Sequence, residues 1–75
     1  MPAELTLTPR DHEVFKRIPI DFLDENVCGA EIARALGVTS GDVMRRIARF
    51  QRMGLVQRRY ATGHPLTSEI RRLHQ

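Results

Sequence analysis

Three residues, Gly37-Val38-Thr39, interrupt what would otherwise be one long amphipathic helix, and they force the chain to fold back on itself. On the N-terminal side, GAEIARALG reads as a short helix with Ile32 and Leu36 four residues apart on a core-facing stripe. Ala33 leaves room for another helix to come close. Gly37 follows the last apolar residue, where helices commonly end in a left-handed conformation that glycine adopts without strain. On the C-terminal side, Thr39 can cap the next helix and Asp42 supports that cap, so a helix is predicted from Ser40 to Met53 with Gly54 as its stop. Val43, Ile47 and Phe50 fall within about 60° of one another on a helical wheel. Arg45, Ala48, Arg49 and Arg52 lie opposite, with Gly41 among them and Arg46 at the flank.

The flanking segments are punctuated in the same way. Thr8-Pro9-Arg10-Asp11 reads as a helix start: Thr8 caps, Pro9 fits the first turn, and Asp11 faces the positive end of the dipole. Val14, Phe15, Ile18 and Phe22 fall on one side at helical spacing, but Pro19 interrupts that run by removing a backbone donor, which stops or kinks this first helix. IDFLDEN comes next as a short turn or a distorted continuation. Beyond Gly54, LVQRRY is rich in strand formers and ATGHP supplies a turn. The last segment reads two ways. Leu66, Ile70 and Leu73 keep helical spacing, with Thr67 as cap and Arg71 and Arg72 suited to a helix C-terminus. A returning strand from Glu69 to Leu73 would instead complete a hairpin. Periodicity favours the helix.

With 75 residues there is room for one domain, residues 1–75, with a short disordered start at 1–6. A domain of this size buries only about 60% of the surface its unfolded chain exposes, too little for an elaborate catalytic cleft. The opening MPAELTLTPRD has no basic stretch followed by an apolar run, and no eighteen consecutive apolar residues occur. The lone Cys28 cannot form an internal disulfide. These features predict a cytoplasmic protein without a membrane partner. Charge is divided unevenly along the chain. Residues 1–44 carry net −4 and residues 45–75 carry net +7, giving +3 in all. Such asymmetry points to a polyanionic partner. Eleven of the twelve basic residues are arginine, whose fork matches phosphate and guanine edges.

Two helices joined by a short glycine-containing turn form a helix-turn-helix. AEIARALGVTSGDVMRRIARFQRMGLVQRR resembles the core of winged helix-turn-helix DNA-binding domains through Ile32, Ala33, Leu36, Gly37, Val38, Val43, Ile47, Phe50, Gly54, Leu55 and Val56. The resemblance spans about residues 9–64 and implies a mainly α, small α+β fold: a three-helix core with the helix-turn-helix, plus a short β-hairpin wing. It also implies a recognition helix at 40–53 in the major groove and a wing at 57–64 on the DNA backbone or minor groove. On that reading Ser40, Gly41, Met44, Arg45, Ala48 and Arg49 face DNA, with Arg46 beside them. Arg45 is placed to meet guanine O6 and N7. Arg49 and Arg52 sit further back and meet phosphates, while Arg58, Arg59 and His64 in the ATGH tip belong to the wing.

The expected partner is therefore double-stranded DNA, bound by a homodimer or by cooperating copies, with no small-molecule ligand. The expected role is a small sequence-specific transcriptional regulator of phage or bacterial type, or alternatively a phage or mobile-element architectural or recombination-directing factor. A second alternative is a protein-interaction winged helix that uses Asp21, Asp24 and Glu25 beside Phe22 and Leu23. His12, His64, His74 and Cys28 share no metal-ligand spacing, so neither metal nor cofactor is expected. No Ser-His-Asp spacing, phosphate loop or paired acids form a recognisable motif, and the chain reads as a non-enzyme.

Overall fold

The computed structural model describes residues 7–61 and 67–73. Its first helix, α1 (Pro9–Phe15), opens on a reciprocal capping box. The Thr8 hydroxyl accepts from the Asp11 amide at 3.1 Å, and the Asp11 carboxylate accepts from the Thr8 amide at 2.9 Å. Ahead of Pro19 the helix gives way to turns in which Arg17 and Ile18 donate to Val14 and Phe15. Ile18 is still buried at the end of this run.

The next segment departs from the sequence expectation. Leu23–Asp24 form a short strand, β1, and α2 begins at once, spanning Glu25–Leu36. Asp24 caps it, its carboxylate accepting from the Val27 amide at 3.0 Å. The helix thus starts four residues before Gly29, where the sequence pattern placed its beginning. Gly29 instead serves helix packing, because a Cβ built there would lie 2.6 Å from Met44 Sδ. Its missing side chain leaves room for the Met44 thioether of the third helix.

The turn at 37–39 is as expected. Gly37 is left-handed at φ 69° and donates to Ala33. The Thr39 hydroxyl accepts from the Asp42 amide at 3.1 Å to start α3 (Ser40–Arg52). Gly54 is left-handed too, at φ 79°, and the Leu55 amide then donates back to Phe50 at 2.9 Å. These bonds turn the chain into β2 (Val56–Ala61).

The final segment is a strand, β3 (Thr67–Arg72), so the helix favoured by its periodicity does not form. Pairing outweighs spacing here. Ile70 sits opposite Leu23 on one side and Arg58 on the other and is fully buried, whereas Leu73 is exposed. The sheet order is β1-β3-β2, antiparallel throughout. The Arg72 amide extends it by donating to the Pro19 carbonyl at 2.7 Å. The loop expected to form the wing tip, including His64, and the disordered start expected at 1–6 lie outside the described residues.

One core joins all these elements. Val14 comes from α1 and Ile18 from the turns after it; Cys28, Ile32 and Ala33 come from α2, and Val43, Ile47 and Phe50 from α3, with Val56 and Ile70 from the sheet. Phe50 meets Phe15 edge-to-face with ring centroids 5.6 Å apart. Burying a side chain such as Phe50 contributes roughly 1.5–3 kcal/mol. The result is three helices with a three-stranded antiparallel sheet, a small α+β fold of winged-helix-like architecture.

Candidate nucleic-acid interface

Because Val43, Ile47 and Phe50 commit one side of α3 to the core, its arginines must occupy the remainder of the helix surface. Arg45, Arg46, Arg49 and Arg52 line a cleft of about 340 Å³ together with Asp42. Within it the four are not equivalent. The Arg45 side chain is 78% exposed and stands 3.7 Å from Asp42. Arg52 is exposed and has no ion pair among the described residues.

Arg46 and Arg49, in contrast, converge on Asp11 of α1, whose exposure is 0%. Arg46 Nη1 donates to one carboxylate oxygen at 2.6 Å, and Arg49 Nη2 donates to the other at 2.7 Å. Arg46 Nε also donates to Asp42 at 3.3 Å. Burial by itself would raise the Asp11 pKa. The Thr8 amide, the two guanidinium groups and the Thr8 hydroxyl outweigh it and lower the carboxyl from 3.8 to about 2. Burial similarly acts to lower the Arg46 pKa, but Asp11 and Asp42 overcome it and raise the value above its ordinary level. The carboxylate is therefore charged throughout the physiological range, and it ties α1 to α3.

The expected wing arginines also divide. Arg58 turns inward and donates to Glu25 at 2.8 Å, while the Ser68 hydroxyl donates to the other Glu25 oxygen at 2.6 Å. Arg59 is exposed, bonded to Glu69 at 2.8 Å and stacked 3.9 Å above the Phe22 ring. Arg71 approaches the same ring at 4.9 Å. Ser40 and Gly41 are exposed at the start of α3, and Met44 is half-buried against Gly29. The side chains singled out from sequence are thus gathered along α3 and β2, but Arg46, Arg49, Arg58 and Arg59 each have a carboxylate partner, and of these four only Arg59 is more than half exposed.

Asp11 and Glu25 are the two residues that sequence reasoning did not connect to this surface. Both stand in the first turn of a helix, where a carboxylate is ordinary, and nothing local signals a partner more than thirty positions away. Of the acidic cluster expected for protein docking, Asp24 is engaged as a cap and Glu25 is buried by Arg58 and Ser68, which leaves Asp21 exposed.

Cys28 is buried inside α2, not ahead of it. Burial, then Glu31 and Glu25, push its thiol up to about 11, so it stays protonated and a poor nucleophile. Among the described residues no group of His, Cys, Asp or Glu is gathered to hold a metal ion. Among the same residues no helix is long and apolar enough to cross a membrane.

No protein-family model matches the chain, and no curated protein matches it. Among solved structures, it is similar to a protein from Methanosarcina mazei Go1 described as a possible transcriptional regulator, with a TM-score of 0.70 and 17% identity. The match covers 96% of this chain and 61% of that one, so this chain spans less than two thirds of its neighbour. At such identity the likeness is one of fold: the arrangement of three helices and three strands is shared with a solved protein.

Proposed function

We propose that this protein is a sequence-specific DNA-binding regulator of transcription, of the winged helix-turn-helix type, with α3 as the helix that enters the major groove. The observation that carries the reading is the arginine cleft on α3, set opposite the side of the helix that is locked into the core. An α-helix fits the major groove, and its N-terminal residues reach base edges. Arg45, near the start of α3 and largely exposed, is the residue for guanine. Ser40 and Gly41 allow close approach there, and Arg52 meets the backbone. Arg59 and the segment that includes His64 contact phosphates from the wing. The fold shared with a possible transcriptional regulator supports the same reading. One domain covers a short site, and two copies on adjacent half-sites supply the rest of the specificity.

Titration of the protein into a labelled mixed-sequence duplex at several salt concentrations tests this. With Arg46, Arg49 and Arg58 paired to carboxylates and only about a quarter exposed, two to three phosphates are neutralised by the more exposed arginines, and log affinity falls against log salt with a slope of about −2 to −3. Absence of binding at low salt overturns the reading.

A further inference from the structure

We propose that Asp11 is a positioning residue that withholds Arg46 and Arg49 from DNA phosphates, and so holds down nonspecific affinity. This inference rests on the DNA-binding reading and says which of the four arginines in the cleft act on DNA.

Accessibility is the first ground. Asp11 is 0% exposed, so water cannot compete for its carboxylate, and both oxygens are occupied by arginine. The Thr8 amide donates to the same carboxylate. Arg46 has already given Nη1 to Asp11 and Nε to Asp42, and about a quarter of its side chain is exposed. Arg49 is similarly placed, with 26% of its side chain exposed.

Charge leads to the same division. Four arginines and two carboxylates leave the cleft and its floor with a net charge of +2. Geometrically that excess belongs to Arg45 and Arg52, the two most exposed of the four. Nonspecific DNA affinity is set by how many phosphates are neutralised and how many counterions are released. An arginine already compensated by a buried carboxylate adds little to that number. It does hold α3 at a fixed angle to α1, which specific readout requires. Asp11 thus lowers indiscriminate attraction while keeping the reading helix aligned.

The salt dependence of binding to a mixed-sequence duplex decides between these roles, measured for the full chain and for Arg52→Gln, Arg49→Gln and Asp11→Asn, each first checked for folding by circular dichroism. Arg52→Gln is expected to flatten the slope by about 0.9, and Arg49→Gln by less than half of that. Asp11→Asn, which removes the one negative charge that Arg46 and Arg49 share, is expected to steepen the slope by about 1 and to raise nonspecific affinity. Equal flattening by Arg49→Gln and Arg52→Gln would overturn the inference, and so would a folded Asp11→Asn variant with an unchanged slope. If Asp11→Asn does not fold, the comparison of the two arginine variants still decides. A parent chain that binds no duplex at any salt concentration fails the DNA-binding reading itself, an outcome distinct from equal slopes.

Discussion

Glu25 and Arg58 meet at 2.8 Å across the junction of α2 and β2, with Glu25 only 6% exposed. Ser68 on β3 supplies a second bond to the same carboxylate, so one side chain at the start of a helix clasps both strands of the hairpin. Removing Glu25 would leave Arg58 one-quarter exposed and without its counter-charge. We expect Glu25→Ala to destabilise the fold by about 2–4 kcal/mol, with hydrogen exchange across β2 and β3 quickened ahead of the helices. Uniform quickening over all elements would mean that the clasp is not local to the hairpin.

Acid should reveal the other buried carboxylate. The folded Asp11 pKa of about 2 lies below its ordinary 3.8, so the stability it contributes is fully present above that ordinary value. It declines as pH falls from about 4 and is gone below the folded pKa, a loss of about 2 kcal/mol. Denaturant unfolding of the parent chain and of Asp11→Asn should therefore differ most at pH 5–7 and converge toward about pH 2. A gap that stays constant over this interval would contradict the assignment.

On DNA, Arg45→Ala should cost about 1–3 kcal/mol on the preferred sequence and relax discrimination at one base pair. Arg52→Ala should weaken binding to all duplexes alike. Competition assays with single-base variants of a selected site separate the two effects. Equal losses on every sequence for Arg45→Ala would move that residue from base reading to phosphate contact.

Gly54 ends α3 at φ 79°, and a Cβ there meets nothing within 4 Å, so strain is the whole cost of a substitution. Gly54→Ala should lower stability by about 1–2 kcal/mol with no change in core packing. Thermal unfolding measures it, and a neutral result would show that the turn relaxes.

Much of this architecture is legible in the chain itself because its signals are local. Thr8 and Thr39 announce helix starts through side chain to backbone bonds three residues long, and Gly37 and Gly54 mark the stops. Gly29 misleads because glycine also marks helix boundaries; only the fold shows that it lies inside α2, where it makes room for the Met44 side chain. Residues 66–73 carry a helical stripe at Leu66, Ile70 and Leu73 and could equally return as a strand, and only the pairing of Ile70 with Leu23 and Arg58 chooses between them. The arginines of the candidate interface are visible as a helical face. Their division into those held by a buried carboxylate and those left exposed is not, since it depends on one carboxylate, Asp11, that lies 35 and 38 residues away from Arg46 and Arg49.

The place of β3 between β1 and β2 has a consequence for the order of events during synthesis. Neither outer strand has a partner until residues 67–72 have been made, although all three helices precede them. Leu23 must wait for Ile70, so the sheet closes late and from the C-terminal side. Contacts this distant in sequence are slow to form because a long loop has to close first. A growing chain that has not reached Thr67 should hold its helices only loosely and remain open to protease. Release of residues 67–72 from the ribosome is then the step that locks α3 into place.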